Sequence, residues 1–129
     1  MIYEAKKILG VDWGEKRVGL ALGDLEMKIA TPFKVVNNIE EVVSIINKEE
    51  INTVVIGLPK KLDNKKSISY KNTLKFINEL KKRVNIEIET IDERLTSKAA
   101  DSLAGSKRIK APRDAMAAML ILQSYLDRG

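Results

Sequence analysis

Hydrophobic and polar positions along this chain switch between a period of two and a period of about 3.6 residues, and each switch marks a new element. Ile8-Leu9-Gly10-Val11-Asp12-Trp13-Gly14 and Val18-Gly19-Leu20-Ala21-Leu22 read as two β runs joined by a turn at Gly14. In the second run Val18, Leu20 and Leu22 alternate with small residues that need little room. Lys28 to Val36 reads as a third strand, and Pro32 points to an edge position because proline cannot donate to a central ladder. Asn37 or Asn38 can cap a helix whose Ile39, Val42, Val43 and Ile46 share one face. Thr53-Val54-Val55-Ile56-Gly57-Leu58 is a continuous apolar run, expected of a strand buried on both faces, and Pro59 ends it. A second helix carries Tyr70, Leu74, Ile77 and Leu80 on one face, followed by a short strand from Ile86 to Ile91. Thr96 or Ser97 caps a brief helix through Leu103, and Pro112 opens the last helix, from about Ala111 to Asp127.

Three successive strands followed by alternating helices and strands predict an α/β fold. Its sheet is mixed and five-stranded, antiparallel over the first three strands and parallel afterwards, with helices on both faces. No repeat, low-complexity tract or Pro/Gly-rich linker interrupts the pattern, and 129 residues suit one domain spanning residues 1–129. Ligands of such open sheets bind beyond the carboxyl ends of the strands. Asp12 ends the first strand and Asp92-Glu93 follow the fifth, so the acidic positions fall at one edge of the sheet. Asp114 shares the apolar face of the last helix with Ala118, Ile121, Leu122 and Tyr125, and small Ala115, Ala117 and Ala118 allow that helix to pack closely. Taken singly, Asp12 is equally a turn residue bonding nearby amides, and Asp114 a partner for the helix dipole. Taken together they are carboxylates that can converge.

Composition narrows the chemistry. There is no Cys and no His, which excludes disulfides, thiolate zinc sites, cysteine nucleophiles and imidazole bases. Carboxylates then remain as ligands for hard cations such as Mg²⁺ or Mn²⁺. A net charge of +5 and a pI near 9.4 point to an anionic partner. Much of that charge lies in two stretches, Lys60, Lys61, Lys65, Lys66, Lys71 and Lys75, and Lys107, Arg108, Lys110 and Arg113. Each is either solvated surface or a phosphate contact. No stretch approaches the roughly 20 apolar residues needed to span a membrane, and the N-terminus lacks the apolar core of a secretory signal. A cytoplasmic protein without membrane contact is therefore expected.

Val11-Asp12-Trp13-Gly14-Glu15-Lys16-Arg17-Val18-Gly19, Val55-Ile56-Gly57-Leu58-Pro59, Asp92-Glu93-Arg94-Leu95-Thr96 and the run from Asp114 to Leu126 together resemble the YqgF family, also called RuvX, of RNase H-like nucleases. The resemblance runs from about Ile8 to Asp127. It implies an RNase H-like fold similar to that of Holliday-junction resolvases, and a hydrolase that acts in maturing the 5′ end of 16S rRNA during ribosome biogenesis. Asp12, Glu93 and Asp114 would then be the catalytic acids and the metal ligands. Glu93 is preferred to Asp92 because neighbours in an extended chain point opposite ways and the longer side chain reaches farther past the strand end.

Two cations about 4 Å apart, Mg²⁺ or Mn²⁺, would activate a water, neutralise the phosphate and support the leaving oxygen. Lys16, Arg17 and Arg94, next to the acids in sequence, and Lys107, Arg108 and Lys110 are the candidates for gripping phosphates. Precursor rRNA is the expected nucleic acid and a DNA junction the alternative, with ribosomal particles as further partners and a monomer or weak homodimer as the assembly. A nucleic-acid-binding protein without activity is the third reading. The chain departs from the family pattern after Pro59, where Leu62-Asp63-Asn64-Lys65-Lys66-Ser67 stands in place of an Asp-Gly-Ser turn. Trp13 and the methionines read as packing residues.

Overall fold

The computed structural model describes residues 6–59, 68–92 and 112–128. Strands β1 (Lys7–Trp13), β2 (Val18–Asp24), β3 (Ala30–Val36), β4 (Thr53–Leu58) and β5 (Glu87–Asp92) form one sheet in the order β3-β2-β1-β4-β5. The β1–β2 and β2–β3 pairs are antiparallel, and β4 runs parallel to both β1 and β5. This is the mixed five-stranded sheet that the strand pattern predicts. Pro32 does lie on an edge strand, where its missing N–H costs no ladder bond. The third strand begins at Ala30 rather than Lys28. Lys28 has φ 54° and donates its N–H to the Asp24 carbonyl, so it closes the β2–β3 turn instead of extending the strand. The brief helix expected through Leu103 lies outside the described residues.

Helices α1 (Ile39–Lys48), α2 (Ile68–Arg83) and α3 (Arg113–Asp127) cover the sheet. Successive strand residues point to opposite faces, so each strand feeds two cores. Leu9, Val11, Val18, Leu20, Val54 and Ile56 pack with Val42, Ile45 and Ile46 of α1 and with Phe76, Ile77 and Leu80 of α2. On the other face Ile8, Ala21, Val55 and Ile91 pack with Ala118, Ile121, Leu122 and Leu126 of α3. Val54, Val55 and Ile56 are fully buried, which accounts for the unbroken apolar run in β4.

Of the two candidate caps for α1, Asn38 serves: its side chain accepts from the Glu41 N–H at 2.9 Å. The buried stripe of α2 is turned slightly from the predicted one, with Thr73 buried and Tyr70 only half-buried. The Thr73 hydroxyl donates to the Ser69 carbonyl at 2.8 Å, a local bond that lets a polar side chain sit in an apolar interface. Among the described residues no helix is long and apolar enough to cross a membrane.

Candidate active site

Asp12 lies one residue before the end of β1, and alternation places it with Ile8 and Gly10 on the α3 side of the sheet. Its partner across the antiparallel ladder is Gly19. A Cβ at Gly19 would stand 1.9 Å from the Asp114 carbonyl oxygen, and one at Gly10 would stand 2.7 Å from Leu122 Cβ and 2.9 Å from the Ala118 carbonyl oxygen. Helix α3 thus rests on bare backbone of β1 and β2. Directly opposed residues of an antiparallel pair have Cα atoms about 4.5–5.5 Å apart, so the first turn of α3 is set close beside Asp12. Ala115 and Ala118, both fully buried, make the approach possible from the helix side.

Asp114 occupies that first turn, after Pro112, whose missing N–H would have been unpaired there anyway. Its Oδ2 forms an ion pair with Arg17, 3.1 Å from Nε, the Asp114 side chain being 35% exposed and that of Arg17 67%. Arg17 is delivered by the β1–β2 turn, which is closed by the Gly14 N–H donating to the Arg17 carbonyl at 2.9 Å. Lys16, exposed in the same turn, is not paired with an acid by any ion pair found among the described residues. Two of the expected acids and two of the expected basic residues therefore belong to one corner of the molecule. Glu93, Arg94, Lys107, Arg108 and Lys110 lie outside the described residues.

Asp92 ends β5 opposite Leu58, and alternation from Ile91, which packs under α3, turns Asp92 toward the α1/α2 side. It is not on the same face as Asp12. Among the described residues no three Asp, Glu, His or Cys side chains are grouped so as to hold a metal ion. The donors at this corner, Asp12 and Asp114, are carboxylates, and oxygen donors suit a hard divalent cation. Trp13 packs as expected, its ring 6.3 Å from that of Phe76.

Sequence reasoning assigned Arg17 and Asp114 to separate tasks and missed that they pair, because nothing local links a hairpin turn to the last helix. It also treated Gly19 as one small residue among others. The run Gly19, Ala21, Gly23 on alternate positions was the available signal for a helix seat.

A family model described as "RuvX: Holliday junction resolvase" matches residues 6–128. A "Putative pre-16S rRNA nuclease" of Maridesulfovibrio salexigens is 38% identical over 134 residues, covering 95% of this chain and 99% of the relative. A protein of the same description from Orientia tsutsugamushi is 38% identical over 136 residues, covering 95% and 85%. Thermus thermophilus RuvC, solved in complex with a Holliday junction substrate, superposes with a TM-score of 0.66 over 96% of each chain at 14% identity, which shows a shared fold. Spanning the whole sheet, all three described helices and both described acids, the family match places this chain in the RuvX family.

Proposed function

We propose that this chain is a divalent-metal-dependent nuclease that hydrolyses phosphodiester bonds, with precursor 16S rRNA as its substrate. The observation that carries the reading is the seating of α3 on Gly19, which sets Asp114 beside the strand position of Asp12. Asp12 and Asp114, with Glu93, are the proposed acids. The names of the full-length relatives support the substrate, and the net charge of +5 suits an anionic one.

A cation held by these carboxylates would supply a water of lowered pKa and positive charge beside the scissile phosphate. The chain's own residues do the rest. The sheet holds the end of β1 that carries Asp12, because β1 is paired with β2 through Asp12 and with β4 as far as Val11. The α3 seat fixes Asp114 relative to it, and Lys16 and Arg17 in the adjoining turn meet the phosphate backbone. Lys107, Arg108, Lys110 and Arg94 extend the proposed contact to flanking phosphates.

The family's description favours a second substrate, a four-way DNA junction. Both are tested together by incubating the protein with labelled precursor rRNA and with a junction, in Mn²⁺ or in EDTA, beside Asp12→Asn. Metal-dependent cutting of the RNA, reduced at least about 100-fold in the variant, is expected, since a lost metal ligand removes several kcal/mol of transition-state stabilisation. Paired symmetric cuts in the junction would move the assignment to a resolvase. Binding without cutting by either protein would overturn the nuclease reading.

A further inference from the structure

We propose, on the basis of that nuclease reading, that Arg17 is the resident counter-cation of Asp114 and passes to a substrate phosphate when a divalent cation takes the carboxylate. Cation and nucleic acid then strengthen each other's binding. The pair joins two elements far apart in sequence at the corner where Asp12 lies, with Arg17 Nε 3.1 Å from Asp114 Oδ2. A divalent cation at that oxygen repels the guanidinium, so carboxylate and Arg17 cannot serve each other and the cation equally well.

Release is easy. The Arg17 side chain is 67% exposed, and an exposed pair shifts an equilibrium by less than about fivefold. The guanidinium released has a planar set of donors that matches phosphate oxygens two at a time, which a lysine does not offer. Exposed Lys16, the adjacent residue, leaves the freed Arg17 in a turn already suited to a phosphate. Reciprocity follows from thermodynamics. If cation binding frees Arg17 for the phosphate, phosphate binding must draw Arg17 off Asp114 and raise cation affinity by the same factor. A merely structural ion pair, tying the hairpin turn to α3, would produce no such coupling.

Arg17→Gln and Arg17→Lys separate the two. Mn²⁺ affinity of the free protein is measured by calorimetry. Affinity for labelled precursor RNA is measured by fluorescence anisotropy in EDTA and in Ca²⁺, a cation that also takes oxygen ligands. Arg17→Gln should bind Mn²⁺ about two- to fivefold more tightly than wild type, because a weak competitor has gone. It should bind RNA more weakly and gain less from Ca²⁺ than wild type does. Arg17→Lys, which keeps the charge without the fork, should fall between them, and the melting temperature of each variant shows that it is folded. Unchanged or weaker Mn²⁺ binding in Arg17→Gln overturns the proposal, as does an equal Ca²⁺ gain in wild type and variant. Wild-type protein that binds neither Mn²⁺ nor RNA would instead sink the nuclease reading, and this proposal with it.

Discussion

The carbonyl oxygen of Asp114 lies 1.9 Å from the point where a side chain on Gly19 would begin. Both atoms are constrained: Gly19 is in the middle of the sheet, paired with Asp12 on one side and Val35 on the other, and the Asp114 carbonyl is part of a helix. Neither can move without moving an element.

Gly19→Ala should therefore displace the first turn of α3. Overpacking of this kind costs about 1–3 kcal/mol, and at this chain length each kcal/mol lowers the melting temperature by roughly 4 °C. Metal-dependent cleavage should fall more steeply than stability, since Asp114 moves away from Asp12. A Gly19→Ala protein that melts and cuts like wild type would show that α3 is held elsewhere.

Gln123 ties the β2–β3 turn to α3. Its Oε1 accepts from the Ala30 N–H at 2.9 Å, and its Nε2 donates to the Lys28 carbonyl at 2.9 Å and to Asp127 Oδ1 at 3.0 Å. Gln123→Ala leaves the Ala30 amide, in a buried residue, without that acceptor, at a cost of about 1–3 kcal/mol. Hydrogen exchange at Ala30 should speed up markedly while the β4 amides, across the sheet, stay protected; equal change in both would mean global destabilisation instead.

At the start of α1, Asn38 caps the Glu41 N–H, and the Glu41 carboxylate reaches back to accept from the Asn37 N–H. Replacing Asn38 with Ala removes the cap and should lower unfolding free energy by about 1 kcal/mol. Urea denaturation should show a lower midpoint at unchanged slope.

The Tyr125 hydroxyl donates to a Glu89 carboxylate oxygen, and this bond, with burial and the negative charges of Glu89 and Glu87, pushes the phenol up from 10.0 to about 12. A raised value means that the neutral, donating phenol is favoured by folding. Its contribution to stability is complete below pH 10 and is lost as pH climbs from 10 toward 12. Phenolate absorbance of the three-tyrosine wild type should show a late step near pH 12, and Tyr125→Phe should lack it.

Much of this molecule could be read from residues a few positions apart. Alternation in β2 identified both its faces, Pro32 marked the sheet edge, Asn38 stood among the caps, and the unbroken apolar run of β4 announced a central strand. These are local patterns, set by the two-residue and 3.6-residue periods that backbone geometry imposes. Even the boundary difference is local: Lys28 fits the strand pattern by sequence, and only its positive φ places it in a turn. What the periods could not contain is which distant groups meet. The seat of α3 on Gly10 and Gly19, the Arg17–Asp114 pair, the Gln123 tether and the Tyr125–Glu89 bond all join segments brought together only by the order in which strands assemble. Asp12 and Asp114 were recognisable as acids, but the approach of the first turn of α3 to the β1–β2 pair depends on a helix resting against two glycines. Side-chain identity determined what chemistry was available, and the sheet topology decided where it could happen.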